Sequence, residues 1–127
     1  MCNKKYLNNI KLSKNIISTN LPLNPKDFDF IFYVSPAQHL VTVLKQSLSS
    51  DKIGNIVICS KGIDIKSGTV ISDVLIKNFK QDNIHVLSGP SFAGEVALGK
   101  PAALSLGSKV KSNKLEKLFK GTNIRIY

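Results

Sequence analysis

Val86-Leu87-Ser88-Gly89-Pro90-Ser91-Phe92-Ala93-Gly94-Glu95-Val96-Ala97 carries the strongest local signal in the 127-residue chain. The apolar run from Ile84 to Leu87 predicts a short buried strand. Gly89-Pro90 breaks it in a tight turn. Ser91 then starts a helix running to Leu98, with Glu95 in the first turn, where the helix dipole favours an acid. A strand, a glycine turn and a helix N-terminus leave backbone N–H groups free, which suits a phosphate or a carboxylate. The same residues also make an ordinary strand-to-helix turn that binds nothing. Gly89 then supplies backbone freedom, Ser91 caps, and Ala93 packs the helix.

Working outward, the alternation of strand and helix continues in both directions. Phe28 to Val34 (FDFIFYV) is aromatic, β-branched and apolar on both faces, as suits an internal strand of a helix-covered parallel sheet. Ser35-Pro36 reads as an N-cap with proline at the first helical position. Leu40, Val41, Leu44 and Leu48 follow at helical spacing, and Ser49 to Gly54 turns out of that helix. Asn55 to Ser60 (NIVICS) is the next buried strand, left through Lys61-Gly62. A loop through Lys66-Ser67-Gly68 leads to a helix from Thr69, with Val70, Ile71, Val74, Leu75 and Phe79 inward. Past the opening stretch, Gly99 and Pro101 close the third helix. Ala102 to Leu106 is a further strand, and Ser112 to Lys120 a helix with Leu115, Leu118 and Phe119 inward and Gly121 as its stop. Asn123 to Tyr127 is a last strand. At the start, residues 1–14 form a lead-in anchored by Tyr6, Leu7, Ile10 and Leu12. Asn15 to Thr19 (NIIST) is a short strand ahead of a turn containing Pro22 and Pro25.

The pattern is α/β: a mostly parallel sheet with helices on both faces. In such sheets ligands gather at the carboxyl ends of strands, near the switch in strand order. Ser35-Pro36-Ala37-Gln38, Ser60-Lys61-Gly62, Ser88-Gly89-Pro90-Ser91 and Gly107-Ser108 fall at those ends. A lysine beside a helix N-terminus favours an anion.

Composition narrows the partners. The chain is 43% hydrophobic and 20% charged, which is globular. No apolar run approaches ~20 residues, so a membrane span is not expected, and no secretory signal follows the basic N-terminus. Cys2 and Cys59 have neither metal nor redox spacing. Cys59 reads as a reduced core thiol, no metal site is expected, and the cytoplasm is the expected compartment. The formal charge is +10, yet Arg125 is the sole arginine and the lysines are scattered. Specific readers of nucleic acid use arginine at base edges, and single-strand binders interleave aromatics with basic residues. No specific nucleic-acid partner is expected.

Two words in this order give a resemblance. Ser60-Lys61-Gly62-Ile63 and Ser88-Gly89-Pro90-Ser91-Phe92-Ala93-Gly94-Glu95-Val96 resemble the T-K-G and S-G-P-(S/T)-(F/N)-A-x-E turns of bacterial NAD(P)-dependent glycerol-3-phosphate dehydrogenase. Lys5 to Leu12 with Asn15-Ile16, Ile31 to Gln38, Gly99 to Ala103 and Phe119 to Tyr127 are similar to that family in the same order. The resemblance implies a truncated Rossmann-like domain. It assigns Lys61 to both substrate and cofactor, Gly89 and Ser91 to glycerol 3-phosphate or dihydroxyacetone phosphate, and Ala93 to NAD or NADP. It further implies an oxidoreductase that interconverts those two triose derivatives for phospholipid synthesis. Read as residues alone, Lys61 is a surface lysine at a strand end.

The departures from the family matter as much. Its G-x-G-x-(W/F)-G turn, which cradles the cofactor pyrophosphate, has no counterpart, since the first glycine here is Gly54. The family's proton-transfer lysine, in a G-(A/G)-x-K-N word of its helical domain, is also missing, so no catalytic residue is assigned. The expectation is therefore that 1–127 is a partial dinucleotide-binding domain, lacking the first strand-turn-helix and the C-terminal helical domain, and inactive alone. The alternative is a non-catalytic remnant or split-gene product, at most an anion-binding module or one dependent on a companion chain.

Overall fold

Ile56-Val57-Ile58 forms a strand buried on both faces. Successive strand side chains point to opposite faces, so Ile56 and Ile58 enter one core and Val57 another. The structure is a computed structural model that describes residues 3, 5–7, 10–47 and 54–127. In chain order its elements are β1 (Ile31–Tyr33), α1 (Leu40–Ser47), β2 (Ile56–Ile58), α2 (Ile71–Phe79), β3 (Ile84–Ser88), α3 (Ala93–Ala97), β4 (Ala102–Ser108), α4 (Asn113–Leu118) and β5 (Ile124–Ile126). The strands pair in the order β1-β2-β3-β4-β5. β1, β2 and β3 are parallel, β4 is antiparallel to β3, and β5 is parallel to β4.

One core lies under α1 and α2, where Leu40, Leu44, Ile71 and Leu75 pack with Tyr33, Ile56, Ile58 and Ile84. The other lies under α4, where Leu115 packs with Val57 and Leu87. The change of face has a geometric cause. The chain steps across the sheet in one lateral direction, and crossovers between parallel strands are right-handed. Reversing strand direction at β4, with step and hand kept, carries the next crossover helix to the opposite face. The mostly parallel sheet with helices on both faces is thus what the chain builds.

Several local expectations are corrected. Asn15–Thr19 forms no strand: Ile17 is 88% exposed, and β-propensity without a ladder or a face to bury does not hold a strand. Tyr6 is exposed rather than anchoring, with Lys5 Nζ 5.0 Å from its ring centre. β1 shrinks from Phe28–Val34 to Ile31–Tyr33, the three residues that register with β2. Ser35 is not an N-cap, because a 3₁₀ turn over Ala37–His39 precedes α1, with Pro36 at its cap position and no side-chain cap bond. α2 starts at Ile71, since Val70 is engaged in an isolated antiparallel bridge with Ile63. The third helix starts at Ala93, not Ser91. Leu118 is 51% exposed, whereas Leu115 alone of α4 is buried. The strand order is sequential, so direction, not order, switches in this sheet. Cys2, Asn8-Asn9, Leu48 and the turn before Gly54 lie outside the described residues.

Candidate functional site

The carboxyl ends of β1, β2 and β3 open at one edge of the sheet, and β2 and β3 bring two of the expected residues together. Lys61 Nζ donates to the Gly89 carbonyl at 2.9 Å, across 28 residues of sequence. Gly89 is required there by space: a Cβ would come within 2.6 Å of the Ala103 carbonyl oxygen and 2.9 Å of Leu104 Cδ2. Gly89 does not belong to the glycines of positive φ, so the backbone freedom expected of it is not its role.

Ser91 and Ala93 are placed differently. Phe92 occupies the N-cap position of α3 with no side-chain cap bond, and α3 has five residues. Both Ser91 and Ala93 are exposed, so neither capping nor packing accounts for them. Glu95 does occupy the first turn. Its carboxylate accepts from Lys100 Nζ at 3.0 Å, and Gly99 closes the helix at φ +78°.

The turn carrying Lys61 is tied to the neighbouring strand end. Ser60 Oγ donates to the Ser35 carbonyl. Gln38 Nε2 donates to the Ile63 carbonyl at 2.7 Å, and Gln38 Oε1 accepts from the Ile65 N–H at 2.9 Å. Beyond that, Asp64 Oδ2 accepts from both the N–H and the hydroxyl of Ser67 at 2.8 Å. Those bonds, the hydroxyl's first, hold the Asp64 carboxyl below its ordinary value. Between this turn and α2 lies a cavity of about 390 Å³, its polar lining including Ser60, Lys61 and Ser88 and its apolar lining Ile58, Ile71 and Val86. Gly89, Ser91 and Ala93 are not part of that wall.

Gly107-Ser108 does not join the site. β4 runs antiparallel to β3, so Ser108 pairs with His85 at the far end of the sheet. A larger groove of about 840 Å³ runs along β5 by Pro101, Phe119 and Arg125, and contains none of the expected site residues. Cys59 is half-buried at the end of β2, and burial pushes its thiol up, which keeps it protonated and unreactive. Among the described residues no cluster of His, Cys, Asp or Glu could hold a metal ion, and no helix is long and apolar enough to cross a membrane. The arrangement offers a cation and hydroxyls beside an apolar wall, which favours a small anion. Gln38 was expected only to lie at a strand end. Its grip on a loop 25 residues away has no spacing signal in sequence.

A mostly parallel sheet sandwiched by helices, with its polar groups at the strand carboxyl ends, fits the Rossmann class of α/β domains. The family model for the N-terminus of NAD-dependent glycerol-3-phosphate dehydrogenase matches residues 1–114. This chain belongs to that family, as an N-terminal part of it. The glycerol-3-phosphate dehydrogenase (NAD(P)+) of Erythrobacter litoralis is 36% identical over 82% of this chain and 31% of its own length. That of Orientia tsutsugamushi is 35% identical over 96% of this chain and 38% of its own. The chain thus spans about a third of the length of these curated relatives. Among solved structures, a glycerol-3-phosphate dehydrogenase from Plasmodium falciparum superposes with a TM-score of 0.81 at 22% identity, over 99% of this chain and 37% of that one. One from Coxiella burnetii gives 0.64 at 26%, over 80% and 32%.

A nicotinamide dinucleotide needs a glycine-rich turn under its pyrophosphate. Within these 127 residues the first glycine, Gly54, stands two residues before β2, ahead of a strand rather than between a strand and a helix. The residues present therefore do not fit the whole cofactor.

Proposed function

We propose that this chain carries one wall of the triose-phosphate pocket of a glycerol-3-phosphate dehydrogenase, the enzyme that interconverts glycerol 3-phosphate and dihydroxyacetone phosphate. The observation that supports it best is the Lys61–Gly89 hydrogen bond, which joins two residues that the family resemblance assigns to substrate. An ammonium has three N–H donors, and one of Lys61's is held by Gly89. The other two are free to meet phosphate or triol oxygens, and the charge favours the dianion. Ser91, exposed and without a capping role, supplies a hydroxyl to the same ligand. Ala93 is read as lying against the nicotinamide, and Lys61 as reaching both ligands. No hydride-transfer step is routed through this chain, since the cofactor cradle is not among its residues.

In this reading residues 1–127 form a partial dinucleotide-binding domain that works with parts encoded elsewhere, on this or a companion chain. The compartment is cytoplasmic, the cofactor NAD or NADP, and the product feeds phospholipid synthesis. The competing reading is a non-catalytic remnant that binds anions or a partner, favoured by the missing glycine turn. Two measurements decide. The purified chain is expected to oxidise no NAD(P)H with dihydroxyacetone phosphate beyond a Lys61→Ala control; clear turnover would overturn the partial-domain reading. In an NMR titration, glycerol 3-phosphate is expected to shift the Lys61 and Gly89 amides saturably. Amides that do not move would overturn the pocket reading.

A further inference from the structure

We propose that Gln38 is the positioning residue of the Lys61 turn: its side-chain amide holds the loop after β2 so that Lys61 reaches Gly89. The inference rests on reading Lys61 and Gly89 as part of the pocket. The loop has little else to fix it to the body of the domain. Ile63 is 52% and Ile65 79% exposed, so no apolar side chain of that stretch is sunk into the core. Its other bonds are within the loop or to the start of α2: the Ile63–Val70 bridge, Asp64 N–H to the Thr69 carbonyl, Gly68 N–H to the Asp64 carbonyl, and the Asp64–Ser67 pair. Such bonds keep the loop's shape and join it to α2 but do not register it against the end of β1.

Gln38 supplies the missing tether. A primary amide presents one donor group and one acceptor on a short rigid plane. Gln38 uses both, on the Ile63 carbonyl at 2.7 Å and the Ile65 N–H at 2.9 Å, much as a neighbouring strand would pair alternate residues. It projects from the 3₁₀ turn that follows β1, so the loop is registered against the sheet itself. Ser60 Oγ, on the Ser35 carbonyl, pins the near side of Lys61, and Gln38 pins the far side. The lysine between them is held at both flanks. Because Gln38 is exposed, its bonds compete with water and add little to global stability, so their consequence is geometric.

The test uses the full chain, ¹⁵N-labelled, with sn-glycerol 3-phosphate as the probe. Gln38→Ala is expected to weaken binding about tenfold, and Gln38→Glu, which sets a carboxylate oxygen against the Ile63 carbonyl, by at least as much. Gln38→Ala combined with Lys61→Ala should bind no more weakly than Lys61→Ala alone, because Gln38 acts through the lysine. Affinity of Gln38→Ala within twofold of wild type, or an additive double variant, would overturn the proposal. If the wild-type chain gives no saturable shift, the pocket reading fails and hydrogen exchange decides the tether separately. Ile65 N–H exchange accelerated about tenfold by Gln38→Ala, with β2 amides unchanged, supports it. Unchanged exchange at Ile65 sinks it.

Discussion

The β1–β3 half of the sheet and the β4–β5 half are built to different rules. In the first, Ile56, Val57 and Ile58 are 0%, 0% and 1% exposed, because α1 and α2 cover one face and α4 the other. In the second, β4 alternates half-buried Ala102, Leu104 and Leu106 with exposed Ala103, Ser105 and Gly107, and β5 sets exposed Arg125 between Ile124 and Ile126. Only the α4 side is covered there. For β2 and β4 composition thus records how many faces meet a helix, whereas β1, apolar on both faces but at one end of the strand order, leaves Phe32 40% exposed and Val34, just past its end, 75% exposed.

The difference can be broken by mutation. The largest effect is expected from Ile56→Ala, which opens a cavity at a fully buried position: about 2–5 kcal/mol, against under ~0.5 kcal/mol for Ser105→Thr on the bare face. Urea unfolding measures both, and equal losses would erase the distinction. Next comes the junction of the halves. Gly89→Ala drives a Cβ into the Ala103 carbonyl, so a loss of about 1–3 kcal/mol is expected, with Leu104 and Ala103 amide shifts displaced. A neutral Gly89→Ala would mean that the two halves separate without cost.

The smallest effect is expected from pH, at the other end of the same junction. His85, 2% exposed, lies with Nδ1 2.7 Å from Ser108 Oγ, and the Ser108 hydroxyl proton is committed to the Val110 carbonyl at 2.6 Å. Nδ1–H is therefore the donor. Burial pushes the imidazole below its ordinary value. The unfolded chain takes up the proton first, so this stabilisation is whole above about pH 6.5 and is lost as pH falls from there toward the lower folded value. Unfolding midpoints across pH 7.5–5.5 should decline, and His85→Gln should flatten part of that slope. A decline of the same size in both chains would remove His85 from the junction.

Much of this was legible in sequence where the signal is local. NIVICS and IHVLS read as buried strands because most of their positions are apolar, whereas Ser112, expected as the first helical residue, caps α4 instead, accepting from the Leu115 N–H at 3.2 Å. The Gly89-Pro90 break was equally visible, but its cause was not: only the antiparallel return of β4 places the Ala103 carbonyl where a side chain would go. NIIST has the residues of a strand and no neighbour to pair with, a fact that sequence does not contain. At the candidate site, Lys61 and Gly89 were named from two separate family-like words, whereas their contact and Gln38's hold on the loop are long-range polar geometry with no periodicity.

The reversal at β4 also gives the molecule two unlike poles. Lys61, Gly89 and Gln38 crowd one pole. At the other, the turn before β3 and the turn after β4 sit side by side, with Lys109 Nζ 4.0 Å from Asp82. That second pole holds no candidate ligand contact. It is where a fluorophore, an affinity tag or a surface tether can be attached to watch the chain fold or find a companion, with the anion-facing pole left undisturbed.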